Sequence, residues 1–196
     1  MTSLILASGS AIRAQILRNA GVPFSVHPAQ IDEGAIRENI RGAGGELVAE
    51  RLAELKALTI STQRPQALVL GADQVLELDG ELLSKVETLD AAAAQLRRLR
   101  GKCHKLIGAL VLARDGALVW RHVEISTLWA RDFSDAFLDA YLRAEDEAVL
   151  GSVGCYRYEG PGAQLFERAE GDYFSILGLS LLPLLAALRD RDVTTR

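Results

Sequence analysis

The chain has 196 residues, of which 49% are apolar, and a formal net charge of -4. That is long enough to bury one substantial core and too apolar for a disordered tail. Its Lys and Arg residues are scattered and form no basic stripe, which argues against a polynucleotide as partner and leaves a free nucleotide as the more natural anionic ligand.

Leu4 to Ala7 reads as a buried strand that breaks into Ser8-Gly9-Ser10, and Arg13 follows on a helix capped by Ser10. A strand that delivers hydroxyls to a helix start places free backbone N–H groups and the positive end of a helix dipole where an anion can settle. The same spacing also describes an ordinary capped helix. It matches neither a P-loop nor a dinucleotide-binding glycine pattern. The apolar positions Ala11, Ile16, Leu17 and Ala20 share one helix face before Gly21, and a second strand is predicted around Phe24 to His27.

Ile31-Asp32-Glu33 is read as a loop after that strand, with two carboxylates that suit a hard cation or are simply solvated. A polar, glycine-containing stretch near Gly34 to Gly45 leads to a helix with Leu47, Val48, Leu52, Leu55 and Leu58 at helical spacing, which carries Lys56. Ala67 to Leu70 is a continuous apolar run that ends in Gly71-Ala72-Asp73. Asp73 is therefore predicted at a strand end, either lining a ligand crevice, with Gly71 and Ala72 leaving room for the ligand, or serving as a turn residue. Leu78-Asp79-Gly80-Glu81 reads as a tight hairpin whose return strand brings Lys85 back toward Asp73 or leaves it as a surface lysine.

Asp90 to Arg100 reads as a helix closed by Gly101. Two β-rich runs, Leu106 to Ala113 and Ala117 to Trp129, follow around Arg114-Asp115-Gly116. Ser134 caps a helix with Phe137, Leu138 and Tyr141 facing inward, and Gly151 to Gly178 is either a shaped loop or a string of turns. A leucine-rich helix lies near Leu181 to Leu188. Cys103 and Cys155 read as reduced thiols, and His27, His104 and His122 are too dispersed for a metal cluster. The apolar run at Leu4 is too short for a signal peptide and no window suits a membrane span, so the expectation is a cytoplasmic protein without a membrane partner.

Taken together, L-I-L-A-S-G-S-A-I-R at Leu4 to Arg13, I-D-E at Ile31 to Glu33, G-A-D-Q at Gly71 to Gln74, L-D-G-E followed by Lys85, L-R-G-K-C-H at Leu99 to His104, and the run from Gly151 to Leu182 with Y-E-G and G-D-Y-F-S-I-L-G-L resemble the Maf-type nucleoside triphosphate pyrophosphatases. The resemblance covers nearly the whole chain. It implies a single domain, residues 1–196, of α/β class with a mixed central sheet flanked by helices and two lobes with a cleft between them, often a homodimer. The implied reaction is hydrolysis of a nucleoside triphosphate to the monophosphate and pyrophosphate with a divalent cation, Mg²⁺ or Mn²⁺. On the matching positions Asp73 is the proton acceptor for the attacking water or a metal ligand, and Glu33 supports the cation. Arg13, Lys56 and Lys85 face the phosphates, while Ser8 and Ser10 hold phosphate oxygens.

Base selection divides the family. Members that act on dTTP and UTP resemble S-P-R-R in the first motif, a Thr after G-A-D and a Gln before the late glycine, where this chain has Ile12, Gln74 and Glu159. Gln74 and Glu159, with L-F-E-R at Leu165 to Arg168, resemble the 7-methyl-GTP subgroup, because a carboxylate accepts hydrogen bonds from the N1–H and amino group of a guanine-type base. That subgroup has Trp at the position of Ile12, so its stacking surface is missing here. Ser84 and Val86 replace the usual Gly and Pro around Lys85, and Ser180 replaces a proline. A pyrophosphatase leaning toward purines is the leading expectation. The alternatives are a dTTP/UTP-preferring enzyme, a nucleotide-binding regulator of cell division with incidental hydrolysis, and a phosphatase of smaller esters.

Overall fold

The structure is a computed structural model that describes residues 3–195. It is of mixed α/β class, with a seven-stranded sheet in the order β2-β1-β3-β5-β6-β7 and β4 paired to β3. The strands are β1 (Leu4–Leu6), β2 (Ser25–Val26), β3 (Leu68–Leu78), β4 (Glu81–Leu83), β5 (Cys103–Arg114), β6 (Ala117–Ala130) and β7 (Phe166–Glu170). The helices are α1 (Ala11–Asn19), α2 (Glu33–Asn39), α3 (Gly45–Gln63), α4 (Leu89–Leu99), α5 (Asp135–Glu145), α6 (Tyr173–Ile176) and α7 (Leu181–Arg189). β1 runs parallel to both β2 and β3, while β3–β4 and β6–β7 are antiparallel. Among the described residues no helix is long and apolar enough to cross a membrane.

The chain divides into two compact units, one made of residues 3–74, 108–124 and 178–195 and the other of 75–107 and 125–177. In the first unit β1 and the start of β3 are buried on both faces, which is why Leu4–Leu6 and Leu68–Leu70 are continuous apolar runs rather than alternating ones. Ile5, Ala7 and Val69 share one face of this pair and pack with Ile60 of α3. The second unit has its own core, in which Leu76, Leu96, Leu128, Leu138 and Val149 are among the most deeply buried side chains.

Local signals account for most boundaries. The Ser10 hydroxyl accepts from the Arg13 amide, and Thr88 and Ser134 cap α4 and α5 in the same way. The hairpin at Leu78↔Glu81 turns on Asp79 (φ 53°) and Gly80 (φ 83°), and Asp115-Gly116 repeats those signs, as two-residue turns of this hand require.

Three elements differ from the sequence reading. Asp73 does not end a strand, because β3 continues through it to Leu78. Glu33 is not in a loop. It opens α2, which forms because Asp32 Oδ1 accepts from the Ala35 amide at 2.9 Å and Glu33 places a negative charge on the helix N-terminus. The segment from Gly151 to Gly178 is more than turns: it holds a 3₁₀ segment at Pro161–Leu165, β7 and α6, with β7 paired to β6 from Thr127↔Glu170 to Ala130↔Phe166.

Candidate active site

The site begins with an alternation. Gly71 and Asp73 are two residues apart in β3 and so face the same side of the sheet. That side is covered by α3, whose buried stripe includes Ala49, Leu52, Ala53, Lys56, Ala57 and Ile60. A Cβ at Gly71 would lie 2.0 Å from the Ala53 carbonyl oxygen and 2.8 Å from the Ala57 nitrogen. The glycine therefore serves the close approach of a helix, not of a ligand as the sequence reading had it. With α3 seated this closely, Lys56 reaches over Asp73.

Lys56 Nζ lies 2.7 Å from Asp73 Oδ1 and 2.7 Å from Glu33 Oε1, so one ammonium bridges carboxylates from β3 and α2. Asp73 is only 5% exposed, and a carboxylate there requires such a partner. Its other oxygen, Oδ2, makes no hydrogen bond among the described residues, although Arg37 Nη2 stands 3.7 Å away. Arg37 was missed by the sequence reading. It sits four residues after Glu33 on α2, the same face of a helix that had been read as a loop.

Arg13 is buried beside this group. Its Nη1 donates to Ser8 Oγ at 3.1 Å and to the Ala72 carbonyl at 3.0 Å, and its Nε donates to the Gly178 carbonyl at 2.8 Å. Burial lowers its pKa from the ordinary guanidinium value, an effect that the negative charges of Asp73 and Glu33 oppose. The guanidinium thus ties the turn after β1 to the β3 backbone next to Asp73. Ser8 Oγ also accepts from the Ser10 amide at 3.3 Å, so its own O–H is the group left to donate. Ser10 Oγ caps α1 by accepting from the Arg13 amide at 3.5 Å.

Ser8, Ser10, Arg13, Glu33, Lys56 and Asp73 therefore come together in the first unit, where the half-buried Ile12 and Gln74 also belong. Gln74 follows Asp73 and points to the opposite face of β3. Lys85 and Glu159 belong to the second unit. Lys85 is exposed in the segment after β4, and Val86 packs on that unit's core. Glu159 Oε1 accepts from Arg157 Nε at 3.2 Å.

A hard divalent cation suits the first-unit donors. Among the described residues no three His, Cys, Asp or Glu side chains converge as a complete metal centre. Mg²⁺ commonly uses one or two carboxylates and takes its remaining ligands from water and substrate phosphates. Asp73 Oδ2, buried and without a hydrogen bond, and the half-exposed Glu33 carboxylate fit that pattern.

The chain is 52% identical over 193 residues to a "Nucleoside triphosphate pyrophosphatase" of Maricaulis maris, covering 98% of each chain. It is 47% identical to a protein of the same name from Granulibacter bethesdensis, again covering 98% of each. It is 48% identical over 188 residues to a "7-methyl-GTP pyrophosphatase" of Brucella abortus, covering 95% of this chain and 94% of that one. The family model described as Maf-like protein matches residues 3–191, and the chain belongs to that family.

Proposed function

We propose that this protein hydrolyses a nucleoside triphosphate to the monophosphate and pyrophosphate, with water attacking the α-phosphorus. The observation that carries this reading is the Lys56 ammonium held 2.7 Å from both Asp73 and Glu33, beside the buried Arg13. A triphosphate brings about four negative charges, so the reaction needs that charge neutralised, the chain held in line and a proton taken from water.

Asp73 Oδ2 takes the proton from the attacking water, while Oδ1 stays bonded to Lys56. Lys56, Arg13 and Lys85 offset the charge that develops on the leaving pyrophosphate. The Ser8 O–H donates to a phosphate oxygen, and Ser10, as the cap of α1, sets the helix start against the same phosphates. Glu33 would hold a divalent cation, Mg²⁺ or Mn²⁺, which when bound screens the phosphate charge and orients the chain, and Asp73 Oδ2 is its second ligand only as the alternative to accepting the water's proton. Glu159 and Gln74 select the base and favour a guanine-type ring such as that of 7-methyl-GTP, and similarity to a protein named for that substrate supports this.

The test is a panel of canonical and modified nucleoside triphosphates with Mg²⁺ or Mn²⁺ and full product analysis. Pyrophosphate as first product, with guanine-type substrates ahead of UTP and dTTP, is the expected result. Orthophosphate as first product would make the protein a phosphatase, and binding without turnover would make it a nucleotide-dependent regulator.

A further inference from the structure

In the second unit, the loop that carries Glu159 is held more firmly than a surface turn needs. The Tyr141 hydroxyl on α5 accepts from the Arg157 amide at 3.2 Å and donates to the Cys155 carbonyl at 3.5 Å. The loop then folds on itself, with the Gly160 amide donating to the Arg157 carbonyl at 3.2 Å. A Cβ at Gly162 would lie 2.5 Å from that same carbonyl oxygen, so the segment is packed against its own backbone. Within it, the Arg157 guanidinium is shared by two carboxylates: Nη1 donates to Glu145 Oε2 at 3.0 Å and Nε donates to Glu159 Oε1 at 3.2 Å.

The two pairs differ in kind. The Glu145 side chain is 6% exposed, so its charge needs Arg157 and fixes where the guanidinium sits. The Arg157–Glu159 contact is partly open to solvent and by itself worth little to stability. Its consequence is directional. A guanidinium fixed by Glu145 and donating to Glu159 Oε1 narrows the orientations that the Glu159 carboxylate takes.

We propose that Arg157, anchored by Glu145, is a specificity-positioning residue that presents the Glu159 carboxylate in the orientation that accepts the paired N1–H and amino donors of a guanine-type base. The inference rests on the reading of Glu159 as the base selector given above. Uracil and thymine offer one N–H flanked by two carbonyl oxygens, which a fixed carboxylate repels, so the orientation favours guanine over these bases. Arg157 touches no reacting atom. Removing it therefore changes discrimination through KM and leaves the chemical step unchanged.

The experiment compares kcat/KM for 7-methyl-GTP, GTP and UTP in the wild-type protein, Arg157→Gln, Arg157→Lys and Glu145→Gln. The expected result for Arg157→Gln is a fall of about tenfold in the guanine-to-UTP ratio, carried by KM for the guanine substrates. Arg157→Lys, which keeps the charge but not the fork, restores part of it. Glu145→Gln moves the ratio in the same direction and serves as the second reading if Arg157→Gln folds poorly. An equal loss on all three substrates, or an unchanged ratio in both the Arg157 and Glu145 variants, overturns the inference while leaving the pyrophosphatase reading intact. A wild-type protein that releases pyrophosphate with no guanine preference overturns the base reading and this inference together, and one that releases none overturns the proposed function itself.

Discussion

Lys56 reaches Asp73 because Gly71, two residues earlier on the same strand face, lets α3 lie directly against β3. The 2.7 Å contact between a lysine and an aspartate 17 residues apart thus depends on a missing side chain.

Gly71→Ala places a methyl group 2.0 Å from the Ala53 carbonyl oxygen, and backbone cannot yield as a side-chain tip does. A stability loss of about 3 kcal/mol is expected, with activity reduced further as Lys56 is carried away from Asp73. Urea unfolding together with turnover at a temperature where the variant remains folded checks both effects.

Asp73→Asn removes the proton acceptor and leaves Lys56 its bond to Glu33. Turnover is expected to fall at least about 100-fold. The folding cost is expected to be about 1.5–3 kcal/mol, that of a lost charged hydrogen bond at a buried site, and not the near-normal melting that a solvated aspartate would show. Near-wild-type turnover would remove Asp73 from the chemistry.

How much of this was legible in the sequence depends on which force set each feature. The strand-turn-helix around Ser8, the caps at Ser10 and Ser134 and the Asp-Gly turns are local, and they form as read. Asp73 was misplaced because Gly71 looks like a strand breaker until the helix packed on it is seen. α2 was hidden among glycines, and with it Arg37, although Asp32 is a cap in plain view. β7, F-E-R-A-E, carries too many charged residues to read as a strand, and its pairing with β6 supplies what composition does not. Arg157 carried no signal, since a pair of carboxylates 12 residues before it and two after it meets only through the fold.

Chelation bears on the cation. Excess EDTA is expected to abolish turnover without changing the far-ultraviolet circular dichroism, and added Mg²⁺ or Mn²⁺ to restore it. Glu33→Gln, with Asp73 and Lys56 still in place, is expected to raise the half-saturating Mg²⁺ concentration by about tenfold. Turnover that survives chelation would remove the cation from the reaction.

His104 makes stability depend on pH. It is 1% exposed, its Nε2 lies 2.8 Å from the Tyr156 hydroxyl, and burial pushes its pKa from 6.5 down to about 4. The unfolded chain takes up this proton as pH falls below 6.5 while the folded chain resists until about 4, so stability is full above 6.5 and is lost through that window. Between pH 7.5 and pH 5 this group accounts for a loss of about 2 kcal/mol. Urea midpoints across that range are expected to show the slope, and His104→Gln to flatten it.

The most direct test is hydrolysis in ¹⁸O-labelled water followed by mass analysis of the products. Attack at the α-phosphorus, with Asp73 taking the proton, predicts one label in the nucleoside monophosphate and none in the pyrophosphate. Label in pyrophosphate, or orthophosphate as the first product, would contradict it.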